Sequence, residues 1–262
     1  MALGLHFGLK LARIASALTV LLGWGVADAA PRAVLELFTS QGCPSCPPAD
    51  ALLGEYASGG EVLALSFSVD YWDYLGWADT LASRDNTRRQ RDYAAARGDL
   101  QVYTPQMIVN GVEHVIGSDR SAIARAIARR PEAEALPVPV ELALAEDSLS
   151  LSAGGAVGDM ANRAILWLIV FHSERHVSVA RGANGGQTLA YRNVVQKIQR
   201  VAVWKGKPMT IDLPQSEMRS SRADGVAVLL QTETASGRPG RILGAAMLGP
   251  QFPGTEQNTL RR

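Results

Sequence analysis

A short apolar run, Ala33-Val-Leu-Glu-Leu-Phe-Thr39, leads directly into Ser40-Gln-Gly-Cys-Pro-Ser-Cys-Pro-Pro-Ala-Asp50, which holds the only two cysteines of the chain. The run is β-rich and flanked by turn formers, which suits a buried central strand. Pro44, Pro47 and Pro48 are tolerable only near a helix start, where N–H groups lack internal partners anyway. The helix is therefore expected to begin at or just beyond Cys46, with its body from Ala49 to Ala57 and Asp50 complementing the dipole in its first turn. Two thiols three positions apart at such a junction can close a small disulfide, and N–H groups at a helix start would stabilise a thiolate on Cys43. Zinc sites also use Cys-x-x-Cys, but they usually add a second Cys or His pair. No second cysteine pair exists here.

Gly59-Gly60 makes a turn, and Val62 to Val69 is an apolar run of strand length, so residues 33 to 69 read as a β-helix-β unit with a parallel crossover. Asp70-Tyr-Trp-Asp-Tyr-Leu-Gly-Trp-Ala-Asp79 follows at the C-terminal end of that second strand, the end at which open parallel sheets carry ligand sites. Tyr71, Trp72 and Trp77 are thus expected to wall the cysteine loop; plain hydrophobic packing is the alternative. Residues 85 to 97 read as a helix whose arginines, Arg89 among them, lie on a solvated face. Val102 to Gly117 reads as strand, Asn110-Gly111 hairpin turn and strand, with Pro105 just ahead of the first strand. A further helix is capped by Ser118 or Asp119 and stopped at Pro131.

Beyond Pro131 the pattern changes. Pro137 and Pro139 suggest a linker, and short β-like runs follow at 138–145, 148–152, 164–171, 176–180, 193–204, 208–213, 224–231 and 241–248. Frequent turns between short strands point to a β-sandwich. Gly182-Ala-Asn-Gly-Gly186 reads as a flexible loop and lacks the ending of a phosphate cradle.

The succession strand, Cys-x-x-Cys, helix, strand, helix, Thr-Pro, strand, hairpin, strand, helix resembles thioredoxin. Leu37-Phe-Thr-Ser-Gln-Gly-Cys-Pro-Ser-Cys46 is also similar to the glutaredoxin pattern. More specifically, Glu-Leu-Phe-Thr-Ser-Gln-Gly-Cys43, Cys-Pro-Pro-Ala-Asp50, Val69-Asp-Tyr-Trp-Asp-Tyr-Leu-Gly-Trp77 and Tyr103-Thr-Pro-Gln-Met107 resemble the secreted thioredoxin-like proteins of domain-of-unknown-function family 1223, over residues 32 to 248. The resemblance implies an α/β fold, a thioredoxin-like domain followed by an all-β sandwich-like domain. The expected layout is a signal peptide at 1–29, the first domain at 30–135, the second at 136–250 and a polar tail at 251–262.

By the same resemblance, Thr104-Pro105 matches a cis-proline loop set against the disulfide, with the backbone before Pro105 presented to an extended substrate. In the favoured reading Cys43 attacks and Cys46 resolves the mixed disulfide. Glu36, an acid in the apolar first strand, is a candidate proton shuttle for Cys46, as thioredoxin's buried acid is thought to be; a structural hydrogen bond is the other reading. The function expected is that of an exported thiol–disulfide oxidoreductase acting on protein or small-molecule thiols and disulfides, with no cofactor and no resident metal. Two alternatives stay open: a copper or zinc carrier using Cys43, Cys46 and His114, and a binding module whose disulfide is structural. His172-Ser-Glu-Arg-His176 misplaces the glutamate of a metalloprotease motif, and both it and His114 read as surface histidines.

Net charge is +1, from 26 Lys and Arg against 25 Asp and Glu, which gives no reason to expect nucleic acid as a partner. Lys10 and Arg13 precede an apolar stretch from Ile14 to Val26, and Ala27-Asp28-Ala29 is an A-x-A cleavage site. A periplasmic or secreted protein is expected, with no stable membrane insertion once the signal is removed. Export is also the setting in which a disulfide persists.

Overall fold

In a computed structural model that describes residues 30–145, 147–158, 163–215 and 223–249, the run ahead of the cysteines forms strand β1 (Val34–Thr39), buried along its whole length. The expected signal and tail lie outside the described residues. Helix α1 (Pro47–Gly59) starts with its two prolines, where missing N–H groups do no harm, and ends at Gly60 with φ 72°. Strand β2 (Leu63–Ser68) returns parallel to β1. After a short 3-10 turn at Asp73–Leu75 comes α2 (Arg84–Arg97), capped by Ser83, whose hydroxyl accepts from the Asn86 N–H. Strands β3 (Gln106–Val109) and β4 (Glu113–Ile116) form the expected hairpin, and α3 (Arg120–Ala128) is capped by Asp119. A single turn, α4 (Glu132–Ala135), leads into the second half.

That half supplies β5 (Val140–Leu144), β6 (Ser148–Ala153), β7 (Ala164–Ser178), β8 (Thr188–Trp204), β9 (Met209–Pro214), β10 (Gly225–Glu233) and β11 (Pro239–Leu248). Its strands do not keep to themselves. One eight-stranded sheet runs β11-β10-β7-β8-β2-β1-β3-β4, joined across the halves by parallel pairing of β2 with β8 at Ser66 and Val194. The runs read as 164–171 and 176–180 are one strand, because the polar residues between them pair with β8; Glu174 lies opposite Arg192 and forms an ion pair with it at 3.0 Å.

Alternation along the strands explains why the middle of the sheet is so apolar. Leu166, Leu168 and Val170 of β7 face the small sheet β5-β6-β9 and pack on Leu142, Leu149 and Leu151. Ile169 and Phe171 point the other way and share a core with Phe38, Phe67 and Tyr93. Strands covered on both faces read as continuous apolar runs, whereas β5 and β6 alternate because one face meets water. On the β1 side, Leu35 and Leu37 face α1 and α3, while Val34, Glu36 and Phe38 face α2.

The Asn110-Gly111 turn is pinned under β11. The Asn110 carboxamide oxygen accepts from Val34 N–H at 2.8 Å and its carbonyl accepts from Ile242 N–H at 3.0 Å. Gly111 has φ 73°, and a Cβ there would lie 2.4 Å from the Gly240 carbonyl, so no other residue fits.

Candidate functional site

Cys43 and Cys46 form a disulfide at the start of α1, with Cα atoms 5.4 Å apart. Both residues have no exposed surface, although Pro44 and Ser45 between them are exposed. The loop is held by Cys43 N–H donating to the Ser40 carbonyl and Gly42 N–H to the Ser40 hydroxyl. The Ser45 hydroxyl lies 3.5 Å from Cys43 Sγ. Of the backbone donors at this helix start, Cys46 N–H is given to the Cys43 carbonyl at 3.3 Å, Pro47 and Pro48 have no N–H, and the N–H groups of Ala49 and Asp50 both donate to the Cys46 carbonyl. The helix field remains, and Ser45 is the polar group at the first sulfur.

The aromatic segment lies against this loop. A Cβ on Gly42 would come within 3.0 Å of Trp72 Cβ, and Trp72 Nε1 donates to Thr104 Oγ1 at 2.8 Å. Trp72 therefore bridges the cysteine loop and the Thr104–Pro105 segment, whose peptide bond is cis. Pro105 reaches the same place from below: Pro105 Cβ and Ala49 Cβ both stand within 3.2 Å of where a Gly117 side chain would begin. Trp77 Nε1 donates to Gln41 Oε1 at 2.8 Å. The Tyr71 hydroxyl is buried on the side of Thr104 and Gln90, and burial raises its pKa against the pull of both.

Two contacts to the loop had no counterpart in the sequence reading. Asp79 accepts from Gln41 N–H at 2.7 Å and Leu81 N–H at 2.8 Å, and its pKa is nevertheless raised by burial. Asn184, at the tip joining β7 to β8 and only 3% exposed, donates from Nδ2 to the Gln41 and Cys43 carbonyls, each at 2.9 Å. The glycine-rich tip expected to be a loose loop is thus docked on the cysteines, with Gly182 against Trp77.

Glu36 requires a correction. It lies on the face of β1 turned away from α1, where Arg89 Nε donates to it at 2.7 Å and the Tyr93 hydroxyl makes a very short bond to it. Arg89 also donates to Tyr93 and to Gln231 of β10, and stacks over the rings of Phe67 and Tyr93. Glu36 is a structural ion pair rather than a proton shuttle for Cys46, and Arg89, read as solvated, is 7% exposed. Burial holds the Tyr93 hydroxyl well above its usual range.

His114 is turned toward Tyr103 (Nδ1, 2.9 Å) and Asp99 (Nε2, 3.3 Å). Among the described residues no group of three or more His, Cys, Asp or Glu side chains comes together as a metal site, so the donor set of the carrier alternative is not assembled. His172, expected at the surface, is 7% exposed, and burial lowers its pKa; His176 is exposed and paired with Glu174.

Residues 34–231 match the family profile described as "Protein of unknown function (DUF1223)". The chain belongs to the DUF1223 family. It is similar to the crystal structure of protein AGR_C_4864 from Agrobacterium tumefaciens, with 41% identity, 90% of this chain and 100% of that chain covered, and a TM-score of 0.77. HBP35 of Porphyromonas gingivalis shares the fold at 13% identity, with 90% and 82% covered and a TM-score of 0.60. No curated protein matches the chain. DUF1223 membership thus carries a fold and no activity, and the chemistry has to come from the site. Among the described residues, no helix is long and apolar enough to cross a membrane.

Proposed function

We propose that this DUF1223 protein is an exported thiol–disulfide oxidoreductase with a thioredoxin-like arrangement, in which Cys43 exchanges with protein or small-molecule sulfur and Cys46 resolves the mixed disulfide. The carrying observation is the convergence of the Cys43–Cys46 disulfide with the cis Thr104–Pro105 segment through Trp72. A disulfide spanning so few residues constrains the unfolded chain little, so a stapling role gives it weak justification. The exposed Pro44-Ser45 segment is the side from which a partner would reach Cys43. Lys10, Arg13, the apolar stretch to Val26 and Ala27-Asp28-Ala29 support export to the periplasm or beyond.

Trapping tests this reading. A Cys46→Ser variant should accumulate mixed disulfides with thiol partners through Cys43, and a Cys43→Ser variant should not. Equal trapping by both reverses the roles.

One observation favours a second reading. Both cysteines are fully covered and Asn184 clamps their loop, as expected of a structural disulfide in a binding module. Incubation of the folded protein with a dithiol separates the two: reduction at native stability supports exchange, and a disulfide inert until the chain unfolds supports the module.

A further inference from the structure

Asp50 stands one helical turn beyond Cys46. Its N–H donates to the Cys46 carbonyl at 3.0 Å, and Cys46 itself has helical backbone angles, φ −79° and ψ −37°. Side chains four apart share a stripe and tilt toward the helix start, so the Asp50 carboxyl leans toward Cys46. Asp50 is 4% exposed, and among the described residues neither carboxyl oxygen has a hydrogen-bond partner.

Its surroundings are polar without being satisfied. Thr39 of β1 continues the α1-facing positions Leu35 and Leu37; Ser66 and Ser68 of β2 continue that of Ala64. The hydroxyls of all three, and of Tyr191 on β8, are buried without a hydrogen-bond partner among the described residues. Asp79, in the segment before α2, is close enough to oppose a charge on Asp50, and both acids act on Tyr191. Burial is the largest influence on Asp50 and holds its carboxyl well above the usual range; the Thr39 hydroxyl offsets part of this but lies outside hydrogen-bonding geometry. A carboxyl in such a place rests as the neutral acid, with a proton to give.

We propose that Asp50 is the proton carrier for Cys46, giving a proton to its sulfur when the disulfide opens and taking one when it closes. This rests on the exchange reading above. In the reductive direction a partner dithiol loses a proton to solvent, and its thiolate attacks Cys43 Sγ. A partner–Cys43 bond forms, the Cys43–Cys46 bond breaks, and Cys46 Sγ leaves with the electron pair. The Asp50 O–H proton passes to that sulfur, and the carboxylate regains a proton from solvent. The partner's second sulfur, also as thiolate, then attacks its own sulfur in the mixed disulfide. Cys43 leaves with the electron pair and is protonated from solvent. The dithiol has lost two electrons and two protons, and the cysteine pair has gained both. In the oxidative direction Asp50 carboxylate removes the Cys46 proton, so that Cys46 attacks Cys43 in the mixed disulfide and closes the ring. Both sulfurs are fully covered at rest; the attacking partner has to uncover Cys43 and brings solvent to it, whereas the reaction does not require Cys46 to be uncovered, which gives the internal acid its use.

The test follows reduction of the purified protein by dithiothreitol over about pH 5 to 9, each rate divided by the thiolate concentration. In the unaltered protein the corrected rate should fall as pH rises and Asp50 loses its proton. Asp50→Asn should react at least about tenfold more slowly at the acid end, with no such pH dependence, since a positioned acid contributes on that scale or more. An Asn variant with the rate and profile of the unaltered protein overturns the inference and leaves the exchange reading standing. A disulfide that resists the dithiol in both proteins overturns the two together. A second measurement needs no variant: the infrared difference spectrum between disulfide and dithiol forms should contain a protonated buried-carboxyl band that changes on reduction. Its absence also overturns the assignment.

Discussion

On one face of the central sheet Glu36 meets Arg89 and the Tyr93 hydroxyl, with Gln231 closing the group; on the other face, among the described residues, Asp50 meets nothing within bonding geometry that donates to it. Both acids are buried, and β1 or the helix following it carries each. The first arrangement joins β1, α2 and β10, elements from both halves of the chain, and holds them together. The second joins nothing. A buried acid supplied with donors is part of the framework, whereas one left without them, beside a disulfide, is available for chemistry.

The comparison is broken most severely at Arg89. Arg89→Met leaves Glu36 charged and buried, and should lower unfolding free energy by about 3–5 kcal/mol in a denaturant titration. Glu36→Gln should also destabilise, but should leave the rate of disulfide reduction per folded molecule unchanged. A slowed rate would return the shuttle role to Glu36.

The next effect is at Asp50 and depends on pH. An unfolded aspartate titrates near pH 3.9, whereas the native carboxyl titrates higher. As pH rises past about 4 the unfolded chain sheds this proton first, so the contribution of Asp50 to stability is full below the unfolded value. It declines up to the native value and is level beyond it. The loss is about 1.4 kcal/mol for each unit separating the two. Asp50→Asn should remove this slope from stability measured across the acid range.

Asn184→Ala frees the Gln41 and Cys43 carbonyls and should loosen the tip from the cysteine loop, at about 1–3 kcal/mol. Stopped-flow reduction by a dithiol should accelerate about tenfold if this loss falls on the covered state. An unchanged rate shows that the tip does not limit access. Trp72→Phe keeps the ring and drops the bond to Thr104, with an expected loss of about 1 kcal/mol. Least of all, Glu55→Gln breaks an exposed pair with Arg120 and should change stability by less than about 1 kcal/mol, read as a shift of the urea midpoint.

What was legible in the sequence was what neighbours in the chain decide. Asn110-Gly111 announced its hairpin, Asp119 sits where a cap was read, and the prolines after Cys46 set the start of α1. Most strands of the second half were read within a residue or two, but β7 was split at its polar middle and the alternating start of β8, Thr188 to Arg192, was missed. Partners far away in the chain were not legible. Arg89 alternates with acids just as a solvated arginine does, and its partner lies 53 residues earlier. An aspartate in a first helical turn looks the same whether exposed or sealed, so Asp50 gave only its dipole role. Asn184 sits among glycines, and nothing local tells that its carboxamide meets carbonyls 141 and 143 residues away. Among the site residues, Cys43, Cys46, Thr104, Pro105, Trp72 and Trp77 come together, with the Tyr71 hydroxyl buried beside Thr104; Glu36 does not.

The pairing of Ser66 with Val194 has a practical meaning for anyone who would shorten this chain. A fragment ending near Ala135 would strip the neighbour from β2 and uncover the flank of the Phe38–Phe67–Tyr93 cluster that the later strands shield. Such a border of unmated amides beside bare hydrocarbon invites another copy to lie alongside it, so the fragment is expected to clump rather than behave as a miniature of the whole.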